Sequence, residues 1–350
     1  MAEGWADPRR LAAEGRRARL LLESARESLA AGLGARTEEI HLTASHTQSL
    51  HSAVRAVLRG RRRTGTSVVA SQVERTAVLE AARFAGDLIQ VPVDDVGRVD
   101  VDEMTARVRQ SGVALAALQL ANGEVGTIQP VEHVAEVARE HGVPLLVDAG
   151  ASVGHVPVPE GWDLLAADPG DWGGPSGLGV LAVRPRVRFA PDWPHDEDEW
   201  QPGGVSVPAA FAAAAALEAA LADRSEADGR RRRQVALLRS RVPAEVPDVD
   251  VVGDPDLRLP HVVTFSFLYA DGEALVSALD REGFAVASGS ACTSLTGEPS
   301  HVLTAMGSLT HGNLRLALHR SVCDADVERF CAVLPDIVAR VRESLGAHGL

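Results

Sequence analysis

Cys292 lies in the stretch ASGSACTS (287–294), which is rich in Gly and Ser and has neither helical nor strand periodicity. A thiol on such a loop can act as a nucleophile once deprotonated, although a lone loop cysteine is most often an ordinary thiol. Asp148 closes the apolar run Pro144–Val147, placing a carboxylate at the end of a buried strand. Doubly wound α/β folds set their ligand sites at such strand ends, and the position is also common punctuation. Thr47, preceded by His46, opens a helical pattern. Unpaired N–H groups and the helix dipole attract phosphate at such a start, and Thr47 would serve equally as a plain N-cap. Arg315 offers a planar fork suited to bidentate carboxylate binding, in a chain with many arginines to spare. Against these candidates stands one absence: all 35 of the Lys+Arg residues are arginine. Arginine stays protonated and cannot supply a neutral nucleophilic amine.

The scaffold that must position these groups is legible as a pattern. The 350 residues, 45% hydrophobic, can bury a large core and predict two domains or one large one. Short apolar runs alternate with helical patterns, the signature of βαβ units and a largely parallel sheet. Asp7-Pro8 reads as an N-cap with Pro at the first helical position. The helix it announces runs over Arg16–Ala31 and ends at Gly32 and Gly34. Strands follow at Ile40–Thr43, Ser67–Ser71, Leu88–Val93, Val113–Leu120, Pro144–Val147 and Leu178–Val183. Helices are expected over Thr47–Leu58, Arg75–Ala85 and Val131–His141. The loop Pro191–Gly204 is too polar and broken to be an element. An Ala-rich helix covers Val207–Ala222, and a second, starting near Ser225, carries Arg230–Arg233. From Val249 the pattern becomes strand, strand, helix, loop and strand, closing on a helix over Asp324–Leu345.

Composition excludes several function classes. A net charge of −13 and 4% aromatics argue against a nucleic-acid partner. No apolar run reaches the ~18 residues that a membrane-spanning helix needs, and the first ten residues carry no signal-peptide core. The three cysteines, Cys292, Cys323 and Cys331, show no metal-type spacing and predict free thiols in a reducing, cytoplasmic compartment. Cys323 and Cys331 lie eight apart on one helical pattern and read as small buried hydrophobes. The acidic run His195–Glu199 reads as a solvated charge cluster.

Four segments together resemble one family. They are GRRARLLLESARESLAAGLGA at 15–35, NGEVGTIQPV at 122–131, LLVDAGASVG at 145–154, and ASGSACTS at 287–294 followed by GEPSHVL at 297–303. In this order and spacing they resemble the cysteine desulfurases of the class V aminotransferase group, and the similarity covers nearly the whole chain from about Pro8. The resemblance implies an α/β, fold-type I aminotransferase-like fold. It has a large domain over 36–245, with a mostly parallel central sheet sandwiched by helices. A smaller α+β domain comprises 246–350 and 1–35, the N-terminal helix returning to it.

In that family pyridoxal phosphate forms an aldimine with free cysteine, and a loop cysteine attacks the substrate sulfur, leaving alanine and an enzyme persulfide. The resemblance assigns the persulfide-forming role to Cys292 and the substrate-carboxylate grip to Arg315. It makes Asp148 the partner of the pyridinium nitrogen and Thr47, with His46 beside it, part of the phosphate cradle. Other positions depart from the pattern. Asp171 stands where the Schiff-base lysine belongs, Gly170 at its histidine neighbour and Asp168 at a phosphate-binding serine. Arg75 replaces the histidine stacked on the ring, Gly123 the asparagine near its hydroxyl, with Asn122 one place early, and Ala151 the neighbouring glutamine. Val205 stands where the neighbouring subunit would offer a threonine. The family's opening strand and its Ala-Thr-Thr loop are not seen.

The expectation is therefore a degenerate homologue without covalently bound cofactor, pyridoxal phosphate being held only non-covalently at Thr47, His46, Arg75, Asn122 and Asp148. Cys292 persists as a persulfide-carrying thiol in sulfur transfer. Two alternatives stand beside this: a non-catalytic partner or scaffold of an active desulfurase, and a pyridoxal phosphate enzyme of desulfurase type that uses another base, such as His46 or Asp171. The implied partners are a second copy or an active desulfurase in a dimer, and a sulfur-acceptor protein.

Overall fold

The computed structural model describes residues 6–191, 193, 194, 196, 198–288 and 299–346. It divides into two compact units: Met1–Val91 with Asp100–Ala121 and Gln129–Arg224, and Pro92–Val99 with Asn122–Ile128 and Ser225–Leu350.

The first unit is built on a seven-stranded sheet. Its strands are β1 (Ile40–Thr43), β2 (Ser67–Ser71), β3 (Asp87–Val91), β4 (Val113–Gln119), β5 (Leu145–Asp148), β6 (Leu164–Ala167) and β7 (Gly179–Val183), in the order β1-β7-β6-β5-β4-β2-β3. β3, β2, β4, β5 and β6 pair in parallel, and β7 runs antiparallel to both of its neighbours. Every residue of β4, β5, β6 and β7 is buried, as a sheet covered on both faces requires. The helices are α1 (Ala13–Leu33), α2 (His46–Arg61), α3 (Thr76–Ala85), α4 (Val101–Val108), α5 (Val131–Glu140) and α6 (Val207–Ala222). α2 and α3 bury Leu50, Val54, Val57, Val78 and Ala82 against Val68, Ala70, Leu146, Leu164 and Leu181 of the sheet. α4 and α5 pack on strands β2 to β5.

The second unit holds α7 (Arg224–Glu245) apart from its first residue. After it come β8 (Val249–Val252), β9 (Val262–Phe267), α8 (Gly272–Arg281), α9 (His301–Ala305), β10 (Asn313–Ala317) and α10 (Asp324–Ser344). Its three strands form an antiparallel sheet in the order β10-β9-β8. Phe265, Phe267, Leu314, Phe330 and Leu334 centre its core.

The expected architecture is present, with local differences. α1 belongs to the first unit rather than to the C-terminal one, because its small and apolar face packs on α6; a Cβ at Gly32 would come within 2.7 Å of Leu217. α7 falls with the second unit, through Val235, Leu238 and Val242 in that core. α4 and β6 were not foreseen. The former is a short helix set by its N-cap Asp100, whose side chain accepts from Glu103 N, and the latter offers only four apolar residues between two aspartates. Cys331 is buried but Cys323 is exposed, since it is the N-cap of α10 and not part of its buried stripe. Of the acidic run, Asp198 is built in rather than solvated: Oδ1 accepts from Trp200 N and Gln201 N, and Oδ2 lies 3.6 Å from Arg26 Nη2. His195 and Glu197 lie outside the described residues.

Phe265 is fully buried on β9. Phe265→Ala is expected to lower stability by about 3–5 kcal/mol, read as a fall in the urea midpoint.

Candidate active site

Asp148 ends β5 at the carboxyl edge of the large sheet and is 4% exposed. Burial alone would raise its pKa, but the His46 and Arg75 charges beside it, and then hydrogen bonds from His46 and Gly150 N, hold it well below the usual carboxylate range. Both oxygens are engaged. His46 Nε2 lies 3.0 Å from Oδ1, Gly150 N donates to Oδ1 at 2.9 Å, and Arg75 Nε donates to Oδ2 at 3.3 Å.

Local structure brings these groups together. α2 begins at His46, because Ser45 is its N-cap and accepts from Gln48 N. Thr47 is therefore already inside the first turn, and it is exposed. His46 is 4% exposed, so it is a buried partner of Asp148 and not a solvated loop residue. Its ring needs the glycine at 150, where a Cβ would come within 2.3 Å of His46 Cε1. Arg75 is the N-cap residue of α3, and its guanidinium is held charged first by Asp148 and more weakly by Asp168 and Asp171.

Three further carboxylates complete the neighbourhood in the first unit. Asp171 sits in the short 3-10 turn Pro169–Trp172 with Oδ2 3.1 Å from Nε2 of the buried His155. Asp168 caps that turn by accepting from Gly170 N at 3.0 Å. Glu74, fully enclosed, accepts from Gln119 N at 2.9 Å. Burial, with the Asp148 charge added, pushes its pKa up to about 8. Neither His155 nor Glu74 was expected at the site: nothing in the spacing ties residue 155 to residue 171, and no motif singles out Glu74.

The remaining candidates belong to the second unit. Asn122 does not act there as a free polar group: its Oδ1 accepts from Glu124 N and Val125 N and shapes the turn. Arg315, on β10, donates from Nη1 to Gly123 O at 3.2 Å. Its backbone exchanges two hydrogen bonds with Ala287, N to O at 2.6 Å and O to N at 3.1 Å. Arg315 is thus tied to the root of the segment that carries the cysteine. Cys292 itself lies outside the described residues.

Residues 5–330 match the family model described as Aminotransferase class-V. A cysteine desulfurase IscS of Methanosarcina thermophila is 32% identical over 98% of this chain and 87% of its own length. An IscS-like cysteine desulfurase of Mycobacterium tuberculosis is 35% identical over 96% of this chain and 90% of its own. Among solved structures, a NifS-like protein superposes with a TM-score of 0.88 at 26% identity, covering 97% of this chain and 93% of that one.

These comparisons correct the cofactor expectation. The resemblance attaches pyridoxal phosphate covalently throughout that enzyme class, and no comparison sets this chain apart from it, so purely non-covalent binding is overturned. The described side chains do not by themselves form a ready cradle for the group. The Asp148 carboxylate is already engaged on both oxygens, Asp168 and Asp171 face Arg75, and the sequence holds no lysine. No helix among the described residues is long and apolar enough to cross a membrane.

Two outcomes are expected. A methyl group at 150 collides with the imidazole, so Gly150→Ala should cost about 1–3 kcal/mol, with part restored in the His46→Ala, Gly150→Ala double variant under denaturant. Glu74 titrates at about 8 when folded against 4.5 in the open chain. The folded state therefore holds the extra proton between these values. The Glu74 contribution is full below about 4.5 and is lost as the pH rises to about 8. Asp148, shifted the other way, contributes above its ordinary 3.8 and loses that only in acid. Urea midpoints measured from about pH 5 to about pH 8 should fall in the parent and flatten in Glu74→Gln.

Proposed function

Because the chain belongs to the class V aminotransferase family, we propose that it works in sulfur transfer as a cysteine desulfurase-type protein in which Cys292 carries the persulfide sulfur. The observation that carries this reading is the backbone pairing of Arg315 with Ala287, which ties a carboxylate-gripping arginine to the base of the cysteine segment. A guanidinium fork grips an amino-acid carboxylate through two parallel bonds. In this reading Arg315 holds such a substrate beside the start of the segment that carries the cysteine.

The state of the first-unit site supports a specialised form of that role. The buried carboxylate is neutralised by the chain's own His46 and Arg75, and Asp171 is held by His155 instead of offering an amine. In this reading the chain receives sulfur that another desulfurase has released. The Cys292 thiolate attacks the terminal sulfur of the donor persulfide, the donor thiolate leaves with the shared electron pair, and no net oxidation occurs. Two copies, or one copy with an active desulfurase, form the working dimer, and a sulfur-acceptor protein takes the product.

A second reading, a working cysteine desulfurase, is favoured by the 32–35% identity over nearly the full length to proteins of that name. One experiment separates the two. The purified protein is incubated with L-cysteine and pyridoxal phosphate, with and without a separate desulfurase, and alanine and the intact protein mass are followed. The proposal expects a gain of one sulfur atom only when the donor enzyme is present, and its loss in Cys292→Ser. Alanine formed by this chain alone would establish the second reading. No added sulfur in either case would refute both.

A further inference from the structure

A second charged site lies at the opposite edge of the large sheet. β5 runs from Leu145 to Asp148, so its amino end stands roughly 10 Å from the Asp148 carboxylate along the strand. There Arg61, Arg139, Arg186 and Arg188 line a cavity of about 150 Å³ floored by Gly142, Pro144 and Asp163. They come from the last turns of α2 and α5 and from the chain just after β7.

The charges there do not balance. Arg186 is committed: Nε donates to Asp163 Oδ1 at 2.6 Å and Nη2 to Trp162 O at 3.3 Å. Asp163 is used on both sides, its Oδ2 accepting from Leu145 N at 3.0 Å. Arg61 donates from Nη2 to Gly142 O at 2.8 Å, but its Nε is buried with no hydrogen-bond partner. Burial, and then the Arg188 charge, work against the Arg61 cation, with Asp163 alone favouring it. The guanidinium groups of Arg139 and Arg188 have neither a hydrogen bond nor an ion pair among the described residues. Four guanidinium groups thus face one carboxylate, in a chain whose net charge is −13. Like charges this close repel unless something neutralises them, and a buried donor left unpaired carries its full desolvation cost. Glycine at 142 has φ +63° and meets nothing within 4 Å of its Cβ position, so the approach over it is open. Arg139 and Arg186 also border a neighbouring hollow of about 620 Å³ lined by Trp162, Arg36, Arg184, Glu39 and Glu160. Glu39 already pairs with Arg36 and Arg184, so this hollow offers room, and not free cations, behind an anionic head.

We propose that this arginine pocket at the amino edge of the sheet binds a phosphate group, with Arg61, Arg139 and Arg188 supplying the donors. The planar fork of arginine matches phosphate oxygens two at a time, and the smaller cavity suits one such group. The same chemistry serves free inorganic phosphate and the head of a nucleoside monophosphate, which would extend into the adjoining hollow. The site is independent of the sulfur chemistry, since it shares no residue with it.

The test is calorimetric titration of the full chain with inorganic phosphate and, separately, with adenosine monophosphate. The Arg139→Ala, Arg188→Ala double variant and a charge-matched control, Arg281→Ala, Arg340→Ala, which removes two exposed arginines of the second unit, are titrated alongside. Saturable binding is expected, weakened about 100-fold in the double variant, as the loss of two charge-assisted contacts implies, and unchanged in the control. Arg139 and Arg188 are exposed, so the double variant is expected to keep the parent thermal unfolding profile. Equal affinity for the two probes would assign the site to free phosphate, and tighter nucleotide binding to a phosphomonoester. No saturable binding of either probe, or equal weakening in the control, would overturn the proposal.

Discussion

The first unit is organised around one buried negative charge. Removing a carboxylate from water costs several kcal/mol even after relaxation, and only close partners of opposite charge offset it. Asp148 finds them in His46 and Arg75, which come from the first turn of α2 and the cap of α3. Each of those positions carries its own constraint. His46 reaches the carboxylate because Ser45 starts the helix there and because residue 150 has no side chain to collide with the ring. Loss of His46 or Arg75 leaves the Asp148 charge less compensated, and any side chain at 150 clashes with the His46 ring.

The same accounting explains why Glu74 keeps its proton. It lies fully enclosed near Asp148, and the local cations already face that neighbour. A second ionised carboxylate would have to be stabilised without a partner of its own, so the enclosure favours the neutral acid. The Asp171–His155 pair resolves the adjacent negative group separately. The Asp148 charge is thus met from within the chain, while Asp168 accepts only from Gly170 N.

Much of this architecture could be read from the residues. The alternation of apolar runs and helical patterns located six of the seven strands of the large sheet, and the motif order indicated the fold. What escaped were elements with weak local signals. β6 has four apolar residues hemmed by aspartates, and α4 is short and depends on its cap. The assignment of α1 to the C-terminal part failed for a related reason. A helix with alanines and glycines on its buried face packs wherever a partner approaches closely, and its own pattern does not say that the partner is α6. At the site, Asp148 and Arg75 stood out as types at motif positions. The pairing of His46 with Asp148 did not, because it rests on an absent side chain at Gly150, and sequence periodicity carries no record of empty space.

The motif residues divide between the two units. Arg315 and the root of the cysteine segment share one antiparallel bridge, and Arg315 also holds Gly123 in the turn that Asn122 shapes. All of these residues lie in the second unit. His46, Arg75, Asp148, Asp168 and Asp171 lie in the first, and no interaction among them draws on the bridge. Substitution at these first-unit positions therefore leaves the Arg315–Ala287 bridge untouched. Energetic effects at sites with no shared partners are close to independent, so the Arg315–Ala287 bridge is insensitive to changes of charge around Asp148. What the charges around Asp148 depend on lies in the first unit, in the burial of His46 and the absence of a side chain at 150.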